Sequence, residues 1–238
     1  MTRAARGLHF VFYVLVVGSL RALLTVGARV RLVVFHPPPR GAFVMASNHI
    51  SHFDPPFLSG WFPGRKLDWI AMSDLFATTW SDRAFRWLDV IPVDRNGDDR
   101  HALREAMRRL EDGRVIGVFP EGGIRDGSRS LVAGGPVRGG AAMIAARAGC
   151  PIVPVVILGS ERLYNAKNWL PWRRANVYIG VGAAIEPPAG ETARGVAREQ
   201  MSGQFAAAML RLKDDLVSRC HLDANDLPHS PQERMAEP

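Results

Sequence analysis

Cysteine is scarce in this chain. Only Cys150 and Cys220 occur among 238 residues, and they form no C-x-x-C pair. That count excludes a disulfide scaffold and fits reduced thiols in a cytosolic setting. Neither cysteine carries a nucleophile signature, so both read as structural. Lysine is nearly as rare. Lys66, Lys167 and Lys213 are the only three, so arginine supplies almost all of the positive charge. No zinc-finger spacing, RNA-recognition motif or long basic run is present, which turns the expectation away from nucleic acid. No internal repeat is visible, and no G-x-S-x-G elbow marks an acyl-serine mechanism.

The chain does carry a formal net charge of +7. A basic balance points to an anionic partner, and the planar arginine fork suits phosphate or anionic lipid. Hydrophobic residues make up 47% of the sequence. That is enough for one globular domain with short appendages.

The first long feature is apolar. Leu8 to Leu24 is strongly apolar and interrupted by Arg21, with Arg3 and Arg6 before it and Arg29 and Arg31 after. About 20 apolar residues are needed to cross a bilayer. A spanning helix, an interfacial helix, a signal peptide and a core helix all fit this length. The small-residue cleavage sites near Gly18 and Gly27 are poor, which disfavours the signal peptide. Positive residues at both ends favour a monotopic arrangement on the cytosolic side. The segment would bend near Gly18-Ser19 or lie in the interface, with Arg21 reaching the head groups.

Strands and helices then alternate. Strands are expected at residues 31–35, 42–46, 67–72, 90–93, 115–119, 152–158 and 176–181. Helices are expected at 82–88, 99–112, 139–148 and 192–219. The pattern predicts an α/β fold with a mixed, mostly parallel sheet flanked by helices, behind an N-terminal apolar membrane-associating helical segment. The expected division is 1–30 for that segment, 31–220 for the main domain and 221–238 for a polar tail without regular structure.

Four blocks carry chemistry. Asn48-His49-Ile50-Ser51-His52-Phe53-Asp54 follows an apolar strand. An Asp five residues after a His can fix the imidazole tautomer and leave the other nitrogen basic. The same spacing also suits a structural hydrogen-bonded pair. Ser51 lies too close to His49 in sequence for a nucleophile, and His52 reads as a bystander. Val90 to Arg95 ends a strand on an Asp-Arg pair, either a phosphate clamp or a surface ion pair. Val118 to Gly127 sets Glu121, Gly122, Gly123 and Arg125 directly after a buried strand. Glycines allow close approach to a ligand, although a plain glycine-rich turn fits too. Cys150 to Val155 brackets a strand start with Pro151 and Pro154.

In this order the blocks N-H-x-x-x-x-D, strand-Arg, F-P-E-G with a nearby Arg, and P-I-V-P-V resemble the glycerolipid acyltransferases, the 1-acylglycerol-3-phosphate (lysophosphatidic acid) acyltransferase family. The resemblance spans roughly residues 25–185. It implies that His49 and Asp54 are the catalytic pair. Arg95 would help hold the acceptor's phosphate, Glu121 and Gly122, with Gly123 and Arg125, would bind the acceptor, and Pro154 would lie on the acyl-donor side. No metal or bound cofactor is implied; acyl-CoA or acyl carrier protein serves as co-substrate.

Two departures bear on the acceptor. The family's third block usually runs Phe-Pro-Glu-Gly-Thr-Arg. Here Gly123 stands in place of the Thr and Ile124 precedes Arg125, so Arg129 is a rival for the arginine's role. Asp74 also stands where relatives often carry Lys. The implied function is acyl transfer to a lysophosphatidic-acid-like acceptor in phospholipid synthesis, at an anionic membrane surface on the cytosolic face. The alternatives are another lyso-lipid, glycerol-3-phosphate or an amino-lipid as acceptor, a hydrolase or transacylase using the same pair, and a silent lipid-binding relative.

Overall fold

A computed structural model describes residues 3–94, 100–170, 172–188 and 194–230, with 232 and 235. The chain enters as helix α1 (Arg3–Gly27) and passes directly into β1 (Ala28–Val34). There follow β2 (Phe43–Ser47), α2 (Asp54–Trp61), β3 (Leu67–Met72), α3 (Thr79–Trp87) and β4 (Ile91–Val93). Then come α4 (Arg100–Glu111), β5 (Val115–Val118), α5 (Gly140–Ala148), β6 (Ile152–Leu158), β7 (Ala175–Val181) and α6 (Arg194–Cys220).

The seven strands form one sheet in the order β1-β7-β6-β2-β5-β3-β4. Every neighbouring pair runs parallel except β6 with β7. The mixed, mostly parallel sheet flanked by helices is therefore present. Successive side chains on a strand point to opposite faces. Val44 and Ala46 of β2, with Ile152 and Val156 of β6, pack beneath α4, α5 and α6 through Ala106, Ile144, Met209 and Leu216. Phe43 and Met45, with Val153 and Val155, pack on the other face against Leu24 of α1 and Phe57 and Leu58 of α2. Both faces being covered explains why these strands read as continuous apolar runs rather than alternating ones.

The N-terminal helix differs from its expected form. It is unbroken across Gly18 and Ser19, so the segment does not turn back there. Gly7–Gly27 is long and apolar enough to cross a membrane by length and composition. Tyr13 and Leu24 are buried against the domain. Phe10, Val11, Val14 and Leu15 on the outer side are more than half exposed or close to it. Arg21 does not reach away from the protein. It donates to the Gly60 carbonyl at 3.1 Å and stacks over Trp61.

The helix expected from residue 82 begins at Thr79. Thr78 and Ser81 form a reciprocal cap at its start, a signal present in the sequence as Thr-x-x-Ser and of the capping-box kind. Residues beyond 220 hold a short turn at Ala224–Asp226. Arg162 ties that turn to the domain through Asp226 at 3.0 Å.

Candidate active site

β2 ends at Ser47 and delivers Asn48 and His49 to the carboxyl edge of the sheet, where open α/β folds place their ligands. Asn48 is fully buried. Its amide donates to the Ile157 carbonyl at 2.8 Å and accepts the Ile157 N–H at 2.9 Å, so the end of β2 is locked to β6. The chain then turns tightly, and Asp54 opens α2 with prolines just inside the helix start, where their missing N–H groups cost nothing.

The turn closes around the Asp54 carboxylate, which is fully buried. Oδ2 accepts the N–H groups of Ile50 and Ser51, each at 2.8 Å, and lies 2.8 Å from His49 Nδ1. Oδ1 accepts the hydroxyl of Ser160. A carboxylate that already accepts from every other neighbour requires a donor at Nδ1. In the neutral imidazole this places the proton on Nδ1 and leaves the lone pair on Nε2. Ser51 Oγ accepts the Phe53 N–H at 3.1 Å, a local turn contact. His52 is exposed and held by Tyr164.

The imidazole plane is set by packing. Trp69 on β3 lies flat over Gly117 of β5, where an added Cβ would come 2.8 Å from the indole. Phe119 stacks on Trp69 at 4.7 Å, and His49 stacks on Phe119 at 4.1 Å. A glycine in the middle of β5 thus orients a histidine three rings away.

The loop after β5 brackets His49 from the main chain. Glu121 Oε2 accepts the His49 N–H at 2.6 Å. The Arg125 N–H in turn donates to the His49 carbonyl at 2.8 Å. Burial is the largest influence on the Glu121 carboxyl and pushes it up to about 7, against the hydrogen bonds from Leu131, His49 and Ser130 and the charge of His49. A carboxyl raised in the fold above its ordinary 4.5 stabilises the protein most below that value and loses this contribution as pH rises through about 7. Thermal stability is therefore expected to decline between about pH 5 and pH 7.5. Glu121→Gln should flatten that decline in a pH series of melting curves, and an unchanged slope would contradict it.

His49 opens onto a cavity of about 480 Å³. Its walls are almost wholly apolar: Tyr13, Val16, Val17 and Leu20 of α1 on one side, Trp69, Phe85 and Leu88 on others. The polar end holds His49, Gly122, Gly123 and Arg138. Gly122 has φ +67°, a conformation that favours glycine, and a Cβ there would also displace the Arg138 guanidinium, which lies 2.6 Å from that position. The Gly122 N–H is committed to the Phe119 carbonyl at 3.1 Å.

The structure thus brings His49, Asp54, Glu121, Gly122, Gly123 and Arg125 together. It separates one other predicted residue, Pro154, from this group. Arg95 lies outside the described residues. Pro154 faces α6 rather than the apolar cavity, and lines a separate hollow with His36 and Arg211. Arg125 and Arg129 do not line the apolar cavity. Arg129 is exposed and pairs with Asp126. Among the described residues no three His, Cys, Asp or Glu side chains gather to hold a metal.

Two side chains escaped the sequence reading. Ser160 follows β6 by two residues, and only the fold brings it to Asp54. Arg138 stands in Val-Arg-Gly-Gly ahead of α5, where a nearby glycine pair was the available signal.

The fold and site together define an α/β protein with a buried His–Asp pair at the sheet edge, opening into an apolar, lipid-sized chamber with one cationic end. The chain belongs to the Acyltransferase family, whose model matches residues 32–158, just over half of the chain. It is 32% identical over 149 residues to the Mycoplasma pneumoniae protein named "Probable 1-acyl-sn-glycerol-3-phosphate acyltransferase", covering 59% of this chain and 54% of that one. It is 31% identical over 175 residues to the N-acylphosphatidylethanolamine synthase of Arabidopsis thaliana, covering 63% and 57%. The chain thus spans little more than half the length of these curated relatives. The crystal structure of the 1-acyl-sn-glycerophosphate (LPA) acyltransferase from Thermotoga maritima shares the fold. Its TM-score is 0.55 at 22% identity, over 81% of this chain and 79% of that one.

Proposed function

We propose that the protein moves a fatty acyl group from acyl-CoA or acyl carrier protein to the hydroxyl of a lysophosphatidic-acid-like acceptor in phospholipid synthesis. The observation that carries this reading is the single cavity that joins the free face of His49, a long apolar lining and the Arg138 guanidinium. An acyl chain fits the lining, at about 0.8 kcal/mol per buried methylene. A phosphomonoester fits the guanidinium, which takes phosphate through paired N–H donors. The Arg138 backbone N–H is bonded to the Pro120 carbonyl, and its guanidinium makes no hydrogen bond or ion pair among the described residues. By family resemblance Arg95 would add a second cation.

In the reaction His49 Nε2 takes the acceptor's hydroxyl proton as the oxygen attacks the thioester carbonyl. Asp54 balances the imidazolium that forms, as the buried carboxylate of a triad does. The Gly123 N–H, which donates to no protein acceptor among the described residues, is our assignment for the oxyanion. Collapse breaks the C–S bond, forms the ester, and returns the proton from imidazolium to the departing thiolate. No metal or bound cofactor enters these steps.

We further propose a membrane-associated enzyme, drawn to anionic lipid by its basic balance and placed on the cytosolic face by the arginines that flank α1 on both sides. The buried stripe of α1 follows the domain from Tyr13 to Leu24, about 16 Å of helix. A helix docked along that length would carry the domain into the bilayer if it crossed. We therefore place α1 flat in the interface, with its outer apolar side in lipid and its inner side as a cavity wall. Val17→Trp should narrow that wall and shift preference toward shorter acyl chains, by roughly fourfold in affinity per methylene excluded. An unchanged chain-length profile would contradict this wall.

Substrate identity is tested by a panel. Acyl-CoA and acyl carrier protein are each offered with lysophosphatidic acid, glycerol-3-phosphate, a neutral lyso-lipid and phosphatidylethanolamine, and products are read by mass spectrometry. Phosphatidic acid as the dominant product supports the reading. N-acylated phosphatidylethanolamine as the dominant product would replace it with an amine acceptor.

A further inference from the structure

The resemblance assigns Glu121 to acceptor binding, but its surroundings point elsewhere. The side chain is 2% exposed and does not line the cavity. Both carboxyl oxygens are occupied by this chain's own donors. Oε2 accepts the His49 N–H at 2.6 Å. Oε1 accepts the Ser130 hydroxyl at 3.2 Å and the Leu131 N–H. An acceptor phosphate or hydroxyl approaching from the cavity meets Gly122, Gly123 and Arg138 first.

We propose that Glu121 is a positioning residue, which holds the main chain of His49 at the angle catalysis requires and does not touch the acceptor. Three segments meet at its carboxyl: the end of β2 through His49, its own loop, and the turn at Leu131–Ala133. The return bond from the Arg125 N–H to the His49 carbonyl makes the bracket two-sided. Ring orientation is shared with the Phe119 stack and Asp54. Glu121 alone fixes the backbone from which the ring projects on its N–H side. A carboxyl can accept at both oxygens. A glutamine amide keeps one acceptor and sets an NH2 against an N–H, so one of the two anchored segments must shift. A displacement near 1 Å at the reacting group costs about 100-fold in rate.

This inference rests on the acyl-transfer reading, and its test separates the two. Glu121→Gln and Ser130→Ala are compared with wild type for kcat and for acceptor and donor KM. Glu121→Gln is expected to lower kcat by about 10- to 100-fold with acceptor KM within about threefold. Ser130→Ala, which removes one donor of the bracket, should lower kcat less and leave KM unchanged. A large rise in acceptor KM at unchanged kcat would make Glu121 an acceptor ligand and overturn the proposal. In parallel, the rate of His49 modification by diethylpyrocarbonate is followed by peptide mass spectrometry, with exposed His52 as internal reference. A several-fold change at His49 alone supports the bracket in both variants, even if the protein transfers no acyl group. Unchanged His49 reactivity in a folded Glu121→Gln protein would also overturn it. If Glu121→Gln does not fold, Ser130→Ala decides by the same two measurements.

Discussion

His49→Ala is expected to lower acyl transfer by about 10² to 10⁴ while leaving the protein folded, because the ring is the proposed general base and contributes little to the core. Its side chain is 16% exposed. Its removal does not strand the Asp54 charge, since Ile50, Ser51 and Ser160 still donate to that carboxylate. Trp69 and Phe119 remain stacked on each other. Asp54→Asn is expected to be comparably inactive for a different reason. Its amide cannot balance an imidazolium, and one end of it would face donors instead of accepting from them. That variant should therefore also lose thermal stability, whereas His49→Ala should not. Initial rates at saturating substrate, paired with melting curves, separate the two. A His49→Ala protein that turns over near the wild-type rate would remove the histidine from the mechanism.

Arg138→Ala should raise the acceptor KM by roughly 10- to 150-fold, the value of a charge-assisted hydrogen bond of about 1.5–3 kcal/mol. The donor KM and the chain-length preference should hardly move, because only the acceptor carries a phosphate to that end of the cavity. Arg138→Lys should recover part of the loss, since a point charge replaces a paired fork. Arg125→Ala and Arg129→Ala are the comparison. The Arg125 contact to His49 runs through its backbone N–H, which alanine keeps. Arg129 is spent on Asp126 at the surface. Each should change the acceptor KM far less than Arg138→Ala. Equal effects on donor and acceptor KM would mark Arg138 as structural, and a dominant effect at Arg125 or Arg129 would move the phosphate site to the third block.

The parts that the sequence made legible are those governed by local pattern. The β6 strand at 152–158 and the strand at 67–72 match the apolar runs that announced them. The His–Asp spacing likewise announced a contact, because five residues of tight turn after a strand leave the two side chains little room to separate. Other features depend on pairings no local pattern carries. Ser160 reaches Asp54 across 106 residues of sequence, and Glu121 reaches the His49 backbone across 72. The inserted Ile124 had suggested a displaced arginine. What fills the cavity's cationic end is Arg138, brought back by the loop whose N–H at Arg138 bonds the Pro120 carbonyl. The bend near Gly18-Ser19 followed from the arginines at both ends of the segment, and the helix runs unbroken through it. A single glycine in an otherwise strong apolar helix costs only about 1 kcal/mol, and packing against the domain outweighs it.

The central claim is that the acyl group leaves its thioester for the acceptor's hydroxyl and not for water. It is tested most directly by supplying an acyl-labelled thioester donor with lysophosphatidic acid in vesicles, and counting free thiol, labelled phosphatidic acid and labelled free fatty acid together. One thiol released for each labelled phosphatidic acid, with both dependent on acceptor, is the predicted result. Thiol release that continues without acceptor and matches free fatty acid would make the protein a hydrolase and contradict the account.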